Sequence, residues 1–201
     1  MFVRPFITAS LFTLAFVAGL GQAQPPSTDG IETGHYAIEP YHTQVVFSLS
    51  HFGFTEFTGL FSGASGTLDF DPAAPKADKL DITVPVSSVL TTSTQLNEEL
   101  KGGQWFDAAQ FPNAHFLSTD VKRFNATDIG VSGTLTLHGV SKPVVLKAHL
   151  VGAGINPLNK SKNIGFSATT TIKRSDFGVN QYVPMVGDDV RLTIAAGFVQ
   201  Q

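Results

Sequence analysis

"VVFSLSHFGFTEFTGLF", residues 45–61, opens as a two-residue alternation. Val45, Phe47, Leu49 and His51 point one way and Val46, Ser48 and Ser50 the other, the mark of a strand with one apolar and one polar face. Phe52, Phe54, Phe57 and Phe61 follow, in a chain with 17 Phe, one Trp and three Tyr. So much plain aromatic surface either fills a core or faces a ligand. How the strands that carry it close decides between the two.

The same period recurs outward from this stretch. Strands are expected at Gln44–His51, Ser65–Asp71, Lys79–Val89, Ala114–Val121, Val131–Leu137, Val144–Val151, Ile164–Ile172 and Asp189–Phe198. In Lys79–Val89, Leu80, Ile82, Val84 and Val86 oppose Asp81, Thr83, Pro85 and Ser87. Pro85 has no N–H for a ladder, so this strand is an edge or bulges there. "HGVSKP" (138–143) reads as a hairpin loop. One segment breaks the period: Ser93 or Thr94 caps a short helix over about 94–101, Leu96 and Leu100 share its face, and Gly102 and Gly103 end it. An aromatic turn, Trp105-Phe106-Asp107, follows. The fold class is therefore all-β, antiparallel, with one helical insertion. Eight strands of this length close into a barrel whose interior can hold one small ligand.

The two ends of the composition bound the setting. Arg4 and the apolar "FITASLFTLAFVAGL" (6–20), followed by "GQA" (21–23), form a signal peptide expected to be cut after Ala23. The alternative, an uncleaved anchor, is disfavoured because the stretch falls short of the roughly 20 apolar residues a span needs. Cleavage leaves 201 − 23 = 178 residues, one domain behind a polar, mobile lead at 24–34. Cysteine is absent, which suits export to a bacterial periplasm and leaves no lipoprotein attachment site. The formal charge is −3, or −4 without Arg4, with no basic stripe, so nucleic acid is not an expected partner.

Four stretches then add up. "HYAIEPYHTQVVFSLSHFGFTEFTGLF" (35–61) carries Tyr36, Ile38, Glu39, His42, His51, Gly59 and Phe61; the others are "WFDAAQFPNAHFLST" (105–119), "GTLTLHGVSKPVVL" (133–146) and "GFSATTTIKRSDFGV" (165–179). Together they resemble the YceI family of bacterial proteins over roughly residues 34–199, in order and at family spacing. The resemblance implies a lipocalin-like antiparallel barrel with a helix near its mouth, an elongated tunnel for polyisoprenoid or similar long-chain amphiphiles, a periplasmic location and, commonly, a homodimer. This chain departs from the family in two places. Glu39 stands where Asp is frequent, and Glu99 stands before Leu100 where His is frequent.

Phe47, Leu49, His51, Phe61, Ile82, Val84, Phe116, Leu135, Leu137 and Phe166 are the expected tunnel wall, with Leu96, Leu100, Trp105 and Phe106 as its gate. Phe is wide, rigid and has no polar tip to satisfy, and each CH₂ buried contributes about 0.8 kcal/mol. The competing reading of any one Phe is core filling, and of the gate a simple plug. His42, His51 and Arg174 are headgroup candidates; a buried structural His, and for Arg174 a turn fixed by Asp176, are the bland readings. No His spacing suits a metal. No nucleophile elbow occurs, since "SGASGT" (62–67) has Thr67 where the last Gly belongs. The expected function is a non-enzymatic periplasmic carrier of a long-chain isoprenoid or fatty-acyl lipid, with no cofactor. Two alternatives are a small outer-membrane barrel, which lacks aromatic girdles here because Phe47 and Phe166 sit mid-strand, and an enzyme acting on the lipid.

Overall fold

The computed structural model describes residues 31–201; the expected signal peptide and most of the lead lie outside them. Nine strands are joined antiparallel: β1 (Gly34–His51), β2 (Thr55–Phe61), β3 (Ser65–Phe70), β4 (Lys79–Pro85), β5 (Asn113–Arg123), β6 (Asp128–Leu137), β7 (Val140–Ile155), β8 (Lys162–Lys173) and β9 (Asp189–Gln200). β2 and β3 lie end to end along β1, β2 against residues 45–51 and β3 against residues 34–37. They make one stave, so the barrel has eight. Pairing of β1 with β9, from Tyr36–Gln200 to Ser48–Arg191, closes it.

β1 begins ten residues before the expected Gln44, and β2 was not expected as a strand. Both differences have local causes. Residues 40–43 of β1 bulge out between the Glu39–Gly197 and Gln44–Ala195 pairs, which interrupts the period of two. The Glu39 carboxylate accepts the N–H groups of Tyr41 (3.1 Å) and His42 (2.9 Å), and its other contact is His42 Nδ1 at 2.7 Å. Thr43, buried, accepts the N–H of Gly197. Pro85 is the last residue of β4, where no further ladder N–H is needed, and a 3-10 turn takes over at Val86–Ser88, short of the expected Val89. The hairpin loop narrows to His138-Gly139, both at positive φ (51° and 74°), as a two-residue turn matching strand twist requires.

Helix α1 (Thr94–Lys101) falls where capping chemistry puts it. The Ser93 hydroxyl accepts the N–H of Leu96 at 3.2 Å. The Asn97 side-chain oxygen accepts both the N–H and the O–H of Thr91 (2.7 and 2.8 Å), tying the helix to the chain before it. Leu96 and Leu100 pack with Phe47, Val89, Trp105, Val179 and Val190, so the helix covers one end of the barrel. At the other end Tyr36, Leu68, Phe70, Leu150, Ile164 and Phe198 pack together. Arg123 lies over the Phe70 ring at 4.5 Å and pairs with Asp78 at 3.1 Å.

The strand faces settle which side is inside. Outward positions carry the cross-strand pairs His35–Asp69, Asp81–His115 and Asp128–His149, each at 2.6–2.7 Å, with Lys147 and Arg191 exposed beside them. A membrane barrel has the reverse arrangement, an apolar belt outside.

Candidate ligand-binding cavity

Inward side chains leave a cavity of about 260 Å³ unfilled, just below the roughly 300–1,000 Å³ typical of ligand sites. Along β9 it runs from Val190 to Phe198, which at roughly 3.3 Å per residue and a tilt near 40° is about 20 Å of barrel axis. The space is long rather than round. Among the described residues seven Phe line it: Phe47, Phe61, Phe70, Phe106, Phe116, Phe166 and Phe198. Six of them fall into two groups. Phe61 contacts Phe47 and Phe106, both at 5.5 Å, at the helix end; Phe166 contacts Phe70 at 6.2 Å and Phe198 at 6.1 Å at the far end.

Two rings owe their place to glycine. Phe47 sits across from Gly59 on β2 and lies so close that a Cβ there would be 2.4 Å from its Cζ. Phe116 covers Gly133 in the same way, also at 2.4 Å. Each ring lies over a neighbouring stave instead of projecting across the barrel, and the lumen between them stays open.

Of the expected wall and gate, Phe47, Leu49, Phe61, Ile82, Val84, Leu100, Trp105, Phe106, Phe116, Leu135, Leu137 and Phe166 line the cavity. Leu96 does not; it packs behind Leu100 and Trp105. The headgroup candidates fall in three different places. His42 is 88% exposed outside the barrel and holds the β1 bulge with Glu39. His51 is exposed at the end of β1, edge-on to Phe52 at 4.5 Å and bridged through its backbone to Val186. Arg174 borders the cavity but is buried and fully engaged. Its Nε donates to Gly187 O, Nη1 to Val179 O, and Nη2 to Gln181 O and Val186 O, all at 2.8–2.9 Å. Its cation lies 5.6 Å from the Trp105 ring. Asp176 is not its partner; Asp188 accepts from the Ser175 N–H and O–H instead. Burial alone would raise the Asp188 carboxyl, but those bonds and the charges of Lys173 and Arg174 hold it below its ordinary value. Asp78 is the opposite case: burial pushes its carboxyl up against the pull of the Asp71 N–H and Arg123.

Sequence reasoning passed over much of the wall. Leu192, Ile194 and Ala196 of β9 and Ile38 and Thr43 of β1 also face the lumen. For β9 the period of two held the signal. The loop from Val179 to Val186 gave none, because its shape comes from carbonyls converging on Arg174. That loop sets Tyr182 against Trp105, ring centroids 6.1 Å apart, at the helix end of the barrel. Among the described residues no cluster of His, Asp and Glu could hold a metal ion.

These features define a closed, lipocalin-like β-barrel around an elongated apolar cavity, with a short helix and a loop over one end. Residues 36–198 match the family of the YceI-like domain, and the chain belongs to that family. It is 36% identical over 163 residues to Protein YceI of Salmonella arizonae, covering 81% of this chain and 84% of that one. The Campylobacter jejuni YceI protein is 30% identical, with a TM-score of 0.68 over 76% of this chain and 90% of that one. Two solved structures share the fold at lower identity. One is Burkholderia cenocepacia BcnA (24%, TM-score 0.69, 77% and 95% covered). The other is a polyisoprenoid binding domain from Saccharophagus degradans (16%, TM-score 0.63, 83% and 98% covered).

Proposed function

We propose that the protein is a non-enzymatic carrier, exported to the periplasm, that holds the chain of an isoprenoid or fatty-acyl lipid lengthwise in the barrel. The observation that carries this reading is the cavity itself. It is long, walled by two groups of Phe rings, and bordered by few polar groups. Two of the charged ones are already engaged: Asp78 with Arg123, and Arg174 with four carbonyls. Such a wall recognises hydrocarbon by area and offers no activated nucleophile or base. His42 and His51, the residues an enzymatic reading would use, do not line it. The polyisoprenoid-binding domain with the same fold supports the ligand class. The headgroup sits at the helix-covered mouth, beside Trp105 and Phe106. Native mass spectrometry of the protein from its own periplasm, followed by solvent extraction, tests the reading. A stoichiometric long-chain species is expected; chain-free preparations that take up no isoprenoid would sink it.

A further inference from the structure

Beside Trp105, which lines the cavity at its helix end, the chain presents an apolar lip that no carrier needs for holding its ligand. The hairpin turn between β1 and β2 presents Phe52, 45% exposed, and Phe54, 88% exposed. The neighbouring loop presents Tyr182, 49% exposed, and Met185, 56% exposed. The two segments form one unit: the Phe52 N–H donates to Met185 O at 2.8 Å and the Gly187 N–H to Ser50 O at 2.7 Å. Trp105 links this unit to the lumen, since it lines the cavity and meets Tyr182 edge-on.

The outward display is built in. Phe52 and Tyr182 are both held at left-handed backbone angles, φ 54° and 59°, a conformation that is uncommon for bulky residues and persists only where the surroundings impose it. The lip is also bare of charge. Residues 177–187 contain no Lys, Arg, Asp or Glu, and neither do 52–55 or 102–106; Glu56, Glu99, Lys101, Asp107, Asp176 and Asp188 flank these stretches, and the Arg174 cation beneath the loop is buried against its carbonyls. An apolar patch inside a polar rim marks an interaction surface.

We infer that this lip docks the barrel mouth on a lipid bilayer, so that the chain passes between membrane and cavity without crossing water. The inference rests on the carrier reading for its cargo. A bilayer is the occupant that fits projecting aromatic tips: it yields around them and accepts Tyr and Trp at its interface, whereas a second copy would have to offer matching hollows. The bare charge pattern points to insertion driven by apolar contact rather than attraction to anionic headgroups.

The experiment is flotation of the purified protein with phosphatidylcholine vesicles, and with phosphatidylethanolamine vesicles containing about one-third phosphatidylglycerol. Uptake of farnesol without vesicles is followed in parallel by emission of Trp105. The wild type should float with both vesicle types, and salt should not release it. A Phe54→Ser, Met185→Ser variant should float roughly tenfold less or worse while taking up farnesol normally, which also shows that it is folded. Four results overturn the inference: no flotation of the wild type, flotation only on anionic vesicles and lost in salt, unchanged flotation of the variant, or concentration-dependent dimerisation abolished by the same substitutions. Failure of farnesol uptake instead removes the carrier reading and leaves the lip result to be judged separately.

Discussion

Single residues here often act by where they make another group lie. Gly59 is the plainest case. An alanine Cβ would stand 2.4 Å from Phe47 Cζ and 3.0 Å from Leu90 O, so the ring must swing into the lumen. Gly59→Ala should therefore lose affinity for long chains, measured by lipid uptake, and cost about 1–3 kcal/mol in urea unfolding, as overpacking does. Unchanged uptake would mean that the ring has somewhere else to go. Arg174 organises by hydrogen bonding. Arg174→Met leaves the carbonyls of Val179, Gln181, Val186 and Gly187 without their donor and should cost about 2–4 kcal/mol, with amide exchange rising first in 179–187. Asp188 adds a pH dependence. Its carboxyl is held below the ordinary value, so its contribution is present at neutral pH, above the unfolded value near 3.9, and is lost as pH falls through the lower folded value. The urea midpoint should fall in acid, and Asp188→Asn should flatten that fall; an equally steep profile in the variant would assign it to other carboxylates.

Among the elements, α1 is the one secured by few contacts outside its own face. The Ser93 cap and the Asn97 bonds to Thr91 hold its start, and the Gly102 N–H bonds Glu99 O at its end. Ser93→Ala should cost about 1 kcal/mol, read as faster hydrogen exchange across 94–106 with the strands of the barrel unaffected. If the whole barrel exchanged faster in step, helix and barrel would be one cooperative unit. The helix was also among the most legible elements, because its signals are local: a Ser before it, Leu96 and Leu100 four apart, glycines after it. β2 and the first half of β1 were not legible. Gly59 weakens the one as a strand pattern, and the 40–43 bulge breaks the period in the other. The site divides along the same line. Period two picks out Phe47, Phe116 and Phe166 as wall residues, while His51 continues that period one step beyond the barrel and so misses the lumen. The loop over the mouth depends on Arg174 reaching carbonyls five to thirteen residues away, which no local pattern encodes.

At the scale of the whole molecule, the barrel's stability should depend on whether it is filled. Domains are stable by only about 5–15 kcal/mol. At roughly 24 cal/mol per Å³ of unfilled space, a cavity of 260 Å³ represents about 6 kcal/mol of forgone packing. That is a large fraction of the total, and a chain that occupies the space recovers part of it. A ligand that binds only the folded barrel adds RT ln(1 + [L]/Kd), about 2.7 kcal/mol at a hundredfold excess over Kd. For a chain of 201 residues at roughly 2–4 °C per kcal/mol, that is about 5–10 °C in Tm. Extraction of lipid should therefore lower Tm by this amount and re-addition should restore it. The dependence on chain length carries the sharper information. Each added methylene should raise Tm until the about 20 Å of lumen is occupied and then stop, because further carbons lie in the mouth beside Trp105 and leave no more wall to cover. A Tm that ignores chain length would mean that the phenylalanines only fill a core, and the long cavity would then be packing left incomplete rather than a place for a ligand.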